Sequence, residues 1–199
     1  MFPVMLDLTG RLAVVIGGGA VGRRKVAALR RAGARIRVVC LEARPADESD
    51  AEWLCDRYHA GHLEGASIVF AAALPEVNRE VIRDARSRGV WAMDAANPAA
   101  GDFHTPAVSR RGGLVVAVST SGASPLLAAR IRDRIDSVLE AEYIDWVLLL
   151  AELRPEVLAA DPGRRRELFE RLCDERWLDR LRSSGIDAVR AAMRQEIVV

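Results

Sequence analysis

Gly17, Gly19 and Gly22 satisfy the spacing GxGxxG within Gly17-Gly18-Gly19-Ala20-Val21-Gly22. That spacing suits a pyrophosphate. The first glycine turns the chain sharply, the second admits the phosphates to the backbone, and the third lets a helix lie close on a strand. The unpaired N–H groups at the helix start then face the anion. Glu42 lies 20 residues beyond Gly22, near the usual position of an acid that binds the adenosine ribose hydroxyls. Arg44 nearby suits a 2′-phosphate instead, so NAD is preferred and NADP stays open.

A second group of residues could handle protons. Asp94 follows an apolar run, Asp102 stands in the loop beyond it, and His104 is of the one type that titrates near neutrality. A third group is the hydroxyl-rich stretch Ser119-Thr120-Ser121-Gly122, followed by Ser124-Pro125. Ser124 suits an N-cap and Pro125 the first helical turn, so the stretch either caps a helix or receives an anionic group at its N-terminus. His59 and His62 stand three apart with no third ligand following them, and they read as surface histidines rather than a metal site.

The elements that must position these residues follow from hydrophobic pattern. Leu12 to Ile16 is a short apolar run, as in a parallel strand buried on both faces. A helix over 21–31 stops at Gly33, a strand covers 36–40 and a short helix covers 47–57. A strand over 67–73, an amphipathic helix over 75–88 and a strand over 90–93 complete a βαβ alternation. Such alternation predicts a parallel sheet with helices on both faces, a Rossmann domain over 1–106. Arg110 to Gly113 reads as a turn before a strand over 114–119. The helix from Pro125 carries the stripe Leu127, Ile131, Ile135 and Val138, and residues from Glu140 onward read as helices broken at Asp161-Pro162-Gly163. Trp53, Trp146 and Trp177 read as core or interface residues, and Arg164-Arg165-Arg166 as a solvated helix start.

Composition narrows the partners. The formal charge of +1 gives no reason to expect nucleic acid. Half of the 199 residues are hydrophobic, enough for one buried core and a second small domain. Lys25 is the single lysine, so positive charge is carried almost wholly by arginine. Cys40, Cys55 and Cys173 form no CxxC pair, which fits a reducing cytoplasm rather than a disulfide framework or structural zinc. The opening MFPVMLDLTG is unlike a signal peptide, and no apolar run approaches the ~20 residues of a membrane span.

Four segments carry a resemblance. They are GGGAVGRRKVAALRRAGARIRVV at 17–39, AAALPEVNREV at 71–81, NPAAGDFHTP at 97–106 and, most distinctive, VAVSTSGASPLLAARIRDRI at 116–135. Across nearly its whole length the chain resembles the precorrin-2 dehydrogenase, or siroheme synthase N-terminal, family. The resemblance implies a Rossmann domain, a small dimerisation domain over 107–139 and a helical domain over 140–199, assembled as a homodimer. It implies oxidation of precorrin-2 to sirohydrochlorin with NAD+ as hydride acceptor. It places Ala20, Val21, Leu41 and Glu42 at the NAD contacts and Thr120 in the substrate loop with Ser121, Gly122 and Ser124. Arg110, Arg111, Arg130 and Arg132 become partners for the substrate carboxylates. The resemblance also implies an aspartate acid/base. Asn97 falls at its place, with Asp94 three residues before and Asp102 five after; of the two Asp102 is preferred, since a strand-end aspartate often only holds a turn. Two rival readings are a tetrapyrrole-binding ferrochelatase and a non-catalytic NAD-sensing module; the STSGASP helix start and the helical tail disfavour the second.

Overall fold

β1 (Leu12–Ile16) is buried at every residue, and a strand covered on both faces must be apolar throughout. In the computed structural model, which describes residues 1–42 and 50–198, β1 lies between β2 (Arg35–Cys40) and β4 (Ala66–Ala71). With β3 (Glu52–Cys55) and β5 (Trp91–Asp94) they form a fully parallel sheet of order β3-β2-β1-β4-β5. Alternate residues of β1 enter two cores. Ala13 and Val15 pack with Val26 and Leu29 of α1 (Ala20–Arg31). Val14 and Ile16 pack with Val81, Ile82 and Ala85 of α2 (Pro75–Ser87). The chain therefore crosses from one face of the sheet to the other at β1, which makes the carboxyl end of β1 the switch point where such sheets bind ligands.

The helix expected over 47–57 is not what forms. Residues 43–49 lie outside the described residues, and Glu52–Cys55 is the edge strand β3, with Cys55 in register with Cys40. Four residues are too few to show a period. Their pairing is set from outside by β2, where Arg37 Nε donates to Glu52 Oε2 at 2.8 Å.

Contacts divide the chain into Met1–Thr105 and Pro106–Val199; segments 107–139 and 140–199 both fall within the second unit. That unit opens with an antiparallel hairpin of β6 (Ala107–Arg111) and β7 (Leu114–Val118). Arg110 and Arg111 are thus ladder residues, paired with Val115 and Leu114, and the turn falls at Gly112 and Gly113, with φ 54° at Gly112. α3 (Pro125–Val138) follows, and Ser124 Oγ accepts the Leu127 N–H at 3.2 Å as its N-cap. α4 (Glu142–Ala159), α5 (Arg165–Leu172) and α6 (Arg176–Val198) enclose a core of Trp146, Leu149, Leu153, Leu168, Trp177 and Met193. A straight helix would hold residues 176 and 196 about 30 Å apart, yet Arg176 Nη2 donates to Glu196 Oε1 at 2.8 Å. Gly185, at φ 76° and ψ 171°, breaks α6 and turns the chain back.

Candidate functional site

The glycine turn follows β1 and is held by backbone contact. Gly17, at φ 110°, donates its N–H to Val39 O at 2.8 Å, and a Cβ there would lie 2.4 Å from Ala72 O. Gly22, in the first turn of α1, packs against Gly17. Gly19, the N-cap of α1, differs: a Cβ there would meet nothing within 4 Å, and no side chain caps the helix. The first-turn N–H groups at Ala20, Val21 and Gly22 precede the first intrahelical acceptor bond, from Arg23 N–H to Gly19 O. Open space in front of unpaired donors is what a pyrophosphate requires. Gly18 belongs with the three motif glycines, since a side chain there would press on Cys40 Sγ at 2.8 Å.

On the β2 side, Leu41 and Glu42 are exposed, but their backbone is anchored. Cys55 Sγ donates to Leu41 O at 3.2 Å, and Trp53 Nε1 donates to Glu42 O at 3.2 Å. Both side chains are therefore presented to solvent from backbone held at Leu41 and Glu42. Arg44 lies outside the described residues.

On the β4–β5 side a slot of about 270 Å³ is lined by Val21, Ala72, Ala73, Asn78, Ala95 and Ala96. Asp94, at the end of β5, lies buried beside it. Its Oδ1 accepts from Asn78 Nδ2 at 2.8 Å, Ala96 N–H at 2.8 Å and Asn97 N–H at 3.2 Å. A concavity of similar size lies on α6 among Arg180, Ala192, Gln195 and Glu196. No expected site residue lines it.

The expected proton-handling residues separate. Asp94 and Asn97 meet through the Asn97 backbone, while the Asn97 side chain is exposed just before a short 3-10 turn, Pro98–Ala100. Asp102 instead mimics a strand neighbour of β5. Its N–H donates to Ala92 O at 2.7 Å, its Oδ2 accepts the Ala92 N–H at 3.0 Å, and Arg86 stands 3.5 Å from Oδ1. His104 is half-buried in a segment bolted to the sheet. In that segment Phe103 meets Phe70 edge-on at 5.4 Å, and Thr105 Oγ1 accepts from Lys25 Nζ at 2.8 Å. Burial, reinforced by Arg24, pulls the Lys25 ammonium below its ordinary pKa.

In the second unit Thr120 Oγ1 accepts the Ser124 N–H and donates to Ser124 O, both at 3.0 Å. Ser121 and Gly122 follow Thr120 at φ 52° and 88°. Arg111 grips Asp136 with two bonds of 2.9 Å, Ser109 donates to the same carboxylate, and Arg132 pairs with Asp133. Arg110 and Arg130 are exposed, with no carboxylate partner among the described residues.

One reading of the sequence needs correction. A third metal-ligating group does accompany His59 and His62: Asp56 Oδ2 lies 3.7 Å and 3.5 Å from their Nε2 atoms. Ligating histidines must donate their second ring nitrogen, but here both Nδ1 atoms accept backbone N–H groups, from Gly61 and His59. The ring protons therefore sit on Nε2, facing Asp56, and the cluster caps the 3-10 turn Ala60–Leu63. Burial pushes the His62 imidazolium below its ordinary pKa.

A glycine turn at a parallel-sheet switch point, flanked by the anchored Leu41-Glu42 step and an alanine-walled slot, defines a Rossmann-type dinucleotide-binding protein. The chain belongs to the NAD(P)-binding family whose model matches residues 4–107. A second model, of the sirohaem biosynthesis protein central region, matches residues 111–137. The siroheme synthase of Chromobacterium violaceum is 33% identical over 204 residues, covering 98% of this chain and 43% of that protein. The siroheme synthase of Pseudomonas aeruginosa is 37% identical over 178 residues, 85% of this chain and 38% of that protein. The chain thus spans less than half the length of these curated relatives. The solved structure of SirC, precorrin-2 dehydrogenase, superposes with a TM-score of 0.77 at 26% identity, over 99% of this chain and 98% of that one. Among the described residues no helix is long and apolar enough to cross a membrane.

Proposed function

We propose that the chain is a precorrin-2 dehydrogenase of siroheme biosynthesis, oxidising precorrin-2 to sirohydrochlorin with NAD+. The observation that carries this is the likeness to SirC along both units, the glycine turn and the second unit alike. When bound, NAD+ supplies the hydride acceptor. The first-turn N–H groups at Gly19 to Gly22 hold the pyrophosphate, and Glu42 with the Leu41 backbone receives the adenosine ribose, which favours NAD over NADP.

Removing a hydride from precorrin-2 leaves a proton to be taken up. Asp94 is the better placed acceptor. It stands at the carboxyl edge of the sheet, where three N–H groups hold one oxygen in place and fix the carboxylate's orientation. Asp102 is engaged by Ala92 and Arg86 on the far edge of β5. Asn97 has no titratable proton and enters as a hydrogen-bonding group; His104 is the alternative acceptor. Arg110, Arg130 and the loop from Thr120 to Ser124 are the candidate partners for the carboxylates of the macrocycle. The apolar face of α3, exposed in one chain, supports a homodimer, and three free cysteines suit the reducing cytoplasm.

The test is an anaerobic assay with precorrin-2 that follows NADH, with NADP+ as the competing acceptor. Asp94→Asn is expected to lose about 10²–10⁴-fold in rate, whereas Asp102→Asn keeps turnover within a few-fold wherever it folds. No NADH from the parent protein overturns the reading.

A further inference from the structure

Among the described residues three polar side chains are buried, His62, Asn78 and Asp94, and two of them touch. Asn78 is wholly excluded from solvent on the apolar face of α2, beside Val81, Ile82 and Ala85. A buried amide there is tolerated only when its donor and acceptor are both matched. Both are matched, and by different loops. Oδ1 accepts the Ala73 N–H at 3.0 Å from the turn after β4, and Nδ2 donates to Asp94. Asp94 in turn holds Ala96 and Asn97, the turn after β5. These two turns supply Ala72, Ala73, Ala95 and Ala96, the alanine walls of the slot. Alanine has no rotamers with which to adjust, so the slot's width is set by backbone position alone.

The pyrophosphate takes the β1–α1 turn and the adenosine lies over the end of β2, so the other half of a dinucleotide falls over β4 and β5. Resting on the dinucleotide reading above, we infer that Asn78 is a positioning residue for the nicotinamide ring, clamping the two turns at the spacing that admits it.

The test titrates the full chain with NAD+ and with ADP-ribose, which keeps the pyrophosphate and both riboses but lacks nicotinamide. Asn78→Ala and Asn78→Asp are expected to weaken NAD+ about tenfold or more while ADP-ribose stays within about twofold. If Asn78→Ala fails to fold, Asn78→Asp, which keeps the acceptor for Ala73 and loses the donor to Asp94, carries the comparison. Equal loss of both ligands, or no loss of either, overturns the clamp. A parent that binds NAD+ beside unaffected variants sinks the clamp alone; a parent that does not bind NAD+ sinks the functional reading with it.

Discussion

The carbonyl oxygen of Gly17 lies against the Cα of Gly22, so close that a β-carbon at position 22 would stand 1.9 Å from it. The first and third glycines of the turn therefore serve each other rather than a ligand, and the second, Gly19, is the one left facing open space. Gly22→Ala is expected to destabilise the fold by at least about 1–3 kcal/mol, because the clash is with backbone and cannot be relieved by a rotamer. Gly19→Ala should change stability by no more than about 1 kcal/mol and weaken NAD+ binding by about tenfold. Thermal melts beside NAD+ titrations separate the two; a stable Gly22→Ala variant would refute the packing argument.

Acid should loosen the second unit through one carboxylate. The paired Arg111 bonds, with the Ser109 hydroxyl, hold Asp136 at about 2 instead of the ordinary 3.8. A group that releases its proton more readily when folded stabilises the fold above 3.8, and that contribution is lost as pH falls through about 2. Asp136→Asn should be less stable than the parent above that window, and the gap should narrow on acidification. Tryptophan fluorescence during acid unfolding checks this, since Trp146 and Trp177 lie in the second core. Parallel acid limbs for the two proteins would show that the pair does not contribute.

On α3, Leu127 is 50% exposed, Ile131 39% and Val138 66%, an apolar stripe that a single chain leaves facing water. A second copy is the expected cover. Leu127→Glu with Ile131→Glu should convert a dimer to a monomer in sedimentation at micromolar concentration, with NAD+ affinity unchanged. A monomeric parent, or a double variant that still dimerises through this helix, would contradict the assignment.

The β1–glycine–α1 unit was legible because each of its determinants is local: an apolar run, three glycines and an amphipathic helix, all within 20 residues. β3 was not. Glu52 to Cys55 is a strand only because β2 lies beside it, and nothing in four residues announces that pairing. β6 was hidden by Arg110 and Arg111, whose charges suggested a turn although both sit in the ladder. The site was half readable. Asp94 was expected at a strand end, but Asn78 was passed over, although it stands among the buried Val81, Ile82 and Ala85 on a face otherwise apolar. A polar residue in such a stripe has to find partners, and that was the available signal. Asp56, three residues before His59, was missed for a different reason: its nearness depends on how the chain turns after β3.

Lys25 carries the only lysine ammonium of the chain, and the peptide bond that follows it lies in the middle of α1, ahead of the fully buried Val26. A protease specific for lysine therefore has one place to cut, and it cannot reach that place while α1 rests on the sheet and Thr105 holds the side chain. When reclosing outpaces cleavage, the rate of that single cut reports the fraction of time the first unit stands open, with the helical unit silent throughout. The chain thus carries its own clock for one half of its fold.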